Sequence, residues 1–146
     1  YKVSRNLMNR AGDLGASVRQ TMKALVLFGV PPEEVWPWQT KDFNEEPPAF
    51  CYAYAQSFQS LKYFRLDAAN LAPQDGQIDS RELLLFQIKA VLAAGMPCMF
   101  GFTVYSSFYK QKNIRRGYIA YPGSRDQVVG GHAAVAVGYN DYKAID

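Results

Sequence analysis

Histidine is nearly absent from this sequence: His132 is the only one in 146 residues. Cysteine is scarce as well, with Cys51 and Cys98 alone and no Cys-x-x-Cys pair. One imidazole and two separated thiols do not compose a tetrahedral zinc site, so no metal is expected. Both cysteines sit in apolar runs and read as two buried free thiols rather than as a disulfide framework. No apolar run reaches the length of a membrane span, and no signal peptide is visible, so no membrane partner is expected. The chain opens at Tyr1, without Met and already in an amphipathic run, so the natural start is expected upstream and the compartment is left open.

Charge of one sign is also lacking. The net charge is +3, and charged residues make up 20% of the chain. The densest basic spot, Lys110, Lys112, Arg115 and Arg116, reads as a solvated loop, and no nucleic-acid partner is expected. Aromatic residues, by contrast, are abundant: ten Tyr, nine Phe and two Trp. That richness fits a packed core or a ring-lined cleft and argues against disorder.

The patterning changes character along the chain. Val3, Leu7 and Met8 mark the end of a helix over residues 1–10, and the glycines of Ala11 to Ala16 mark a turn. Val18, Met22, Leu25 and Val26 predict a helix from Ser17 to Phe28, ended by Gly29 at C′. Pro31 and Pro32 start a short turn, and Trp36, Pro37, Trp38 and the Pro47–Pro48 pair predict an irregular loop over 35–48. A further helix is expected from Ala49 to Leu61, and a short strand from Lys62 to Leu66. After a loop from Asn70 to Gly76, Asp79 with Glu82 resembles a capping box opening a helix with Leu84, Ile88, Val91 and Leu92 that stops at Gly95. Strands are expected over Pro97 to Tyr105, Tyr118 to Tyr121 and Ala133 to Tyr139, the last one buried. Helices first and strands afterwards predict an α+β fold in a single domain over 1–146, mainly helical in 1–94 and mainly β in 95–146.

Chemistry gathers at the one histidine. It stands in Val128-Val129-Gly130-Gly131-His132-Ala133-Ala134-Val135-Ala136-Val137-Gly138-Tyr139, where two glycines admit close backbone approach and small residues fix the ring. A lone histidine at a strand start is, by itself, more often structural than catalytic. The surrounding string, His-Ala-x-x-Ala-Val-Gly-Tyr, resembles the histidine region of papain-like cysteine peptidases. The likeness recurs in that family's chain order. Leu14-Gly15-Ala16-Ser17 resembles the glycine-containing segment lining the main specificity pocket, and Val35-Trp36-Pro37-Trp38 the aromatic–Pro–aromatic turn. Gly95-Met96-Pro97-Cys98-Met99-Phe100-Gly101-Phe102 is similar to the strand entering the β half, and Gly117-Tyr118-Ile119-Ala120-Tyr121-Pro122 to the strand ahead of the histidine. The ordered set spans nearly the whole chain and is most similar to bacterial members.

The resemblance implies a papain-like fold, a helical half followed by an antiparallel β-barrel-like half, incomplete at both ends of this chain. It implies His132 as general base and acid of a thiolate–imidazolium pair that hydrolyses peptide bonds. It also implies that Gly15, Ala16, Ser17, Gly101 and Gly131 contact a polypeptide substrate, with no cofactor. In this family the cysteine lies ~130–150 residues before the histidine, which places it upstream of residue 1.

Cys51, in Cys51-Tyr52-Ala53-Tyr54-Ala55, imitates the family's cysteine string and is rejected as nucleophile. It stands only 81 residues before His132 (132 − 51). Glu45 occupies the place of the oxyanion-hole glutamine, and Pro47-Pro48 replaces the preceding glycine. Cys98 sits mid-strand and reads as core. The family's Asn-Ser-Trp-Gly string does not occur before Asp146, and Asn140 reads as turn chemistry. The chain alone is therefore expected to be inactive, completed by remaining segments of the peptidase domain. The alternative is a non-catalytic papain-fold binding domain.

Overall fold

The computed structural model describes residues 1–67 and 80–143. The expected loop from Asn70 to Gly76 and the Asp79 end of the capping box lie outside the described residues. The chain divides into two compact units, residues 1–68 and 69–146.

In the first unit Ser17 starts the dominant helix. Its backbone is extended, at φ −75° and ψ 145°, and its hydroxyl accepts from Gln20 N–H at 3.3 Å, an N-cap that launches α2 (Val18–Leu27). A short α1 (Lys2–Asn6) precedes it and packs on it, and α3 (Ala49–Ala55) follows. Gly29 ends α2 at φ +73°, as the C′ reading of the sequence expects. A Cβ there would lie 2.0 Å from the Ala55 carbonyl oxygen, so the absent side chain is what lets the end of α2 meet the end of α3. The helix expected to reach Leu61 stops six residues earlier, at Ala55, and continues as a 3₁₀ turn over Gln56–Phe58. The cause is competition for backbone groups. The Phe58 carbonyl accepts from Val30 N–H at 3.4 Å, and Ser60 N–H donates to the Leu25 carbonyl at 3.1 Å, so α2 and the turn after it claim what a longer α3 needs. The strand expected over Lys62 to Leu66 does not form: Lys62, Tyr63, Phe64 and Arg65 are exposed and irregular, with no ladder partner among the described residues.

In the second unit α4 (Ser80–Ala93) holds Leu84, Ile88, Val91 and Leu92 half-buried, the stripe the periodicity predicts, and packs against β1 (Cys98–Tyr105). β1 pairs antiparallel with β2 (Val128–Ala136), from Cys98↔Ala136 to Tyr105↔Val128. Only these two strands form among the described residues. Tyr118 to Tyr121 stays irregular, with Tyr121 95% exposed.

β2 is also displaced from the expected Ala133 to Tyr139. Its far end stops at Ala136 because that residue faces Cys98, and Pro97 beyond it has no N–H to extend the ladder. Its near end runs back to Val128 through a bulge opposite Val104 and Tyr105. The strand is largely exposed rather than buried. The basic run, expected as a loop, is helical: α5 (Gln111–Arg116) closes on Gly117 at φ 65° and leaves Lys112, Arg115 and Arg116 in solvent. Its one buried residue, Asn113, donates from Nδ2 to the Ser107 carbonyl at 2.6 Å.

Candidate active site

β2 carries His132 at its centre, with four residues of strand on each side, rather than at its start. Directly opposite stands Phe102 of β1. Opposed residues of an antiparallel pair share a face, so the alternation puts Cys98, Phe100, Phe102, Val104, His132 and Ala134 on one side. The imidazole meets the Phe102 ring edge to face, with centroids 5.6 Å apart and planes at 88°. Phe102 is itself braced by Phe100 at 5.9 Å and Phe108 at 6.3 Å. The histidine is exposed, and among the described residues no hydrogen bond reaches either ring nitrogen, so aromatic packing sets its orientation. Phe102 also lines a concavity of about 260 Å³ with Thr103, Val104, Phe108, Ile119 and Tyr121, of which His132 is not a lining residue.

The other residues singled out from sequence fall in two places. Gly101 and Gly131 lie beside this pair but alternate to the opposite face of the sheet, Gly101 opposite Ala133 and Gly131 opposite Thr103. Gly15, Ala16 and Ser17 belong to the first unit, in the turn entering α2. Gly15 takes φ +75°, and nothing lies within 4 Å of where its Cβ would be, so dihedral freedom, not space, demands the glycine there. Ser17 spends its hydroxyl on the cap of α2.

The two cysteines separate. Cys51 is 3% exposed on α3, while Cys98 is half-buried and begins β1 rather than sitting mid-strand. Cys98 lies four residues along β1 from Phe102, about 13 Å at ~3.3 Å per residue, beyond hydrogen-bond reach of the imidazole opposite Phe102. Among the described residues no group of three or more His, Cys, Asp or Glu is placed to hold a metal ion.

Sequence reading passed over Arg5 altogether. It is 1% exposed, the largest fully buried side chain among the described residues. The only signal for it was its place on the inner side of a short amphipathic run, where a cation is not sought.

Comparison with known proteins adds kinship to this geometry. No family model matches the chain. An uncharacterized peptidase C1-like protein of Acanthamoeba polyphaga mimivirus is 36% identical over 129 residues, covering 88% of this chain and 39% of the relative. Among solved structures, xylellain, a cysteine protease from Xylella fastidiosa, aligns with a TM-score of 0.71 at 29% identity, over 95% of this chain and 51% of its own. The chain thus spans about two fifths of the viral relative and about half of xylellain.

Proposed function

The chain belongs to the papain-like cysteine peptidases of family C1, and from that premise we propose that it supplies the imidazole half of a peptide-hydrolysing thiolate–imidazolium pair. The observation that carries the reading is His132: a solvent-reachable imidazole, braced by Phe102, in a chain related to peptidases. An unassisted thiol has a pKa near 8.5 and is mostly protonated at neutral pH; an adjacent imidazole takes that proton and leaves a thiolate. The thiolate attacks the peptide carbonyl, and His132, now imidazolium, returns the proton to the departing amine. It then takes a proton from water as the acyl-enzyme is hydrolysed.

Neither cysteine of this chain suits the nucleophile. Cys51 is enclosed in a helix, and Cys98 is too far along its strand from the histidine. The reading therefore assigns the thiolate to sequence outside residues 1–146. Gly15, Ala16 and Ser17 would line the pocket for the residue before the cleaved bond. Gly101 and Gly131, lacking side chains and facing away from the imidazole, would serve substrate through their backbone.

The test is a fluorogenic peptide assay on residues 1–146, on the protein with its gene-encoded flanking sequence, and on that longer protein carrying His132→Ala. Residues 1–146 should be inactive and the longer protein active. The substitution should remove several orders of magnitude in rate, since pair members act as a unit. Thiol-dependent cleavage by residues 1–146 would overturn the external nucleophile, and a longer protein indifferent to His132→Ala would overturn the histidine assignment.

A further inference from the structure

His132 has little on its own strand to hold it. Side chains two residues apart share a face of a strand, so the neighbours of the imidazole along β2 are Gly130 and Ala134. Gly130 has no side chain, and nothing lies within 4 Å of where its Cβ would be. Ala134 offers a single methyl group. With no hydrogen bond on its nitrogens among the described residues, the imidazole is left with the Phe102 ring across the sheet.

That Phe102 is the residue across the sheet depends on the bulge. Just past the near end of the ladder, Ser106 N–H donates to the Gln127 carbonyl at 2.9 Å, and the Ser106 hydroxyl accepts from Gln127 N–H at 3.2 Å. The same hydroxyl donates to the Asp126 carboxylate at 2.9 Å, so this end of the pair is clamped. Counted from Tyr105↔Val128 without a bulge, Phe102 would face Gly131, and His132 would face Gly101 on the other side of the sheet. The extra residue, Val129, moves β2 by one place and brings His132 onto Phe102. Phe102 is held in turn by Phe100 and by Phe108, which comes from the 3₁₀ turn Ser106–Tyr109.

We propose that Phe102 is a positioning residue: across this bulge-shifted register it holds the imidazole of His132 in one orientation for proton transfer. The proposal rests on the peptidase reading and deepens it. A base held in one orientation matters when the proton moves and not when substrate binds, so loss of Phe102 falls on kcat rather than on KM.

The test uses the full-length protein with Phe102→Leu, Phe102→Tyr and Val104→Ala. Phe102→Leu should lower kcat about tenfold, the size of one aromatic pair, with KM changed less than about twofold. Phe102→Tyr, which keeps the ring, should restore kcat. Val104→Ala removes packing at a 5% exposed residue of the same strand and should lower the melting temperature, with kcat changed less than about twofold. The imidazole proton resonances of His132, assigned by their loss in His132→Ala, should move in Phe102→Leu and keep their positions in Val104→Ala. An unchanged kcat in Phe102→Leu, a Phe102→Tyr no better than Phe102→Leu, or an equal kcat loss in Val104→Ala overturns the proposal. Absence of peptidase activity in the unsubstituted protein overturns the peptidase reading. The His132 resonances then still decide the contact itself, supporting it if Phe102→Leu moves them and refuting it if they stay.

Discussion

Two glycines with nearly the same backbone angle make opposite demands. Gly29 and Gly15 sit at φ +73° and +75°, yet a Cβ at residue 29 would strike the Ala55 carbonyl while one at residue 15 would meet nothing. Gly29→Ala should therefore destabilise the first unit by roughly 2–5 kcal/mol, combining left-handed strain with overpacking. Gly15→Ala should cost about 1 kcal/mol. Thermal or denaturant unfolding of the two variants side by side separates them. The φ of Gly29 was legible from its place one turn past an apolar periodicity; its contact with Ala55, 26 residues away, was not (55 − 29). Cys51 is decided at the same scale. Cys51→Ser puts a hydroxyl where the thiol is 3% exposed and should cost about 1–3 kcal/mol while sparing peptide hydrolysis by the full-length protein. Activity abolished by that substitution, with the fold intact, would return Cys51 to the catalytic pair.

Helix ends and strand ends are where local signals meet tertiary competition. Ser17 caps α2 through one hydroxyl, and Ser17→Ala should lower stability by about 1 kcal/mol while Ser17→Asp retains it, read as melting temperature. In α3, burial first and then a hydrogen bond from its hydroxyl to Glu46 push the Tyr52 phenol up to about 12. The folded protein therefore holds that proton more tightly than the unfolded chain, whose tyrosines titrate near 10. The resulting stabilisation is fully present below about pH 10 and is lost as pH rises through about 12. Absorbance titration of the phenolates should show one fewer group titrating near 12 in Tyr52→Phe. In Glu46→Gln that group should fall toward, but not to, the ordinary value, because burial remains. The ends of α3 and β2 were misplaced in sequence for one reason. Phe58 and Ser60 are claimed by α2 and the turn after it, and Val128 to Gly131 by β1, and neither claim is visible in a local window.

For the molecule as a whole, apolar exposure is the telling quantity. Tyr121, Val137 and Tyr142 are 95%, 83% and 99% exposed, and the proteins this chain matches are about twice as long or more. A contiguous apolar patch built from such side chains would mark association. Residues 1–146 in isolation should bind an anilinonaphthalene dye and sediment above the monomer mass, and the protein with its flanking sequence should do neither. A dye-silent monomer would show that this surface is tolerated in water.

By itself the sequence determined the α+β order, the span of α2, the apolar stripe of α4 and the family. Each of these rests on local periodicity, on caps such as Ser17 and Gly29, or on short strings such as that around His132, all of which need only neighbours in the chain. Tertiary structure alone decided that His132 sits mid-strand against Phe102, and that Gly101 and Gly131 turn to the other face. It also decided that Arg5 is buried. Register is the reason: a strand's pairing partner fixes which side every residue faces, and that partner lies 30 residues away at Phe102 (132 − 102). Arg5 is the same lesson in another form, since what makes a buried cation tolerable is carbonyls brought in from residues 12 and 43 by the fold.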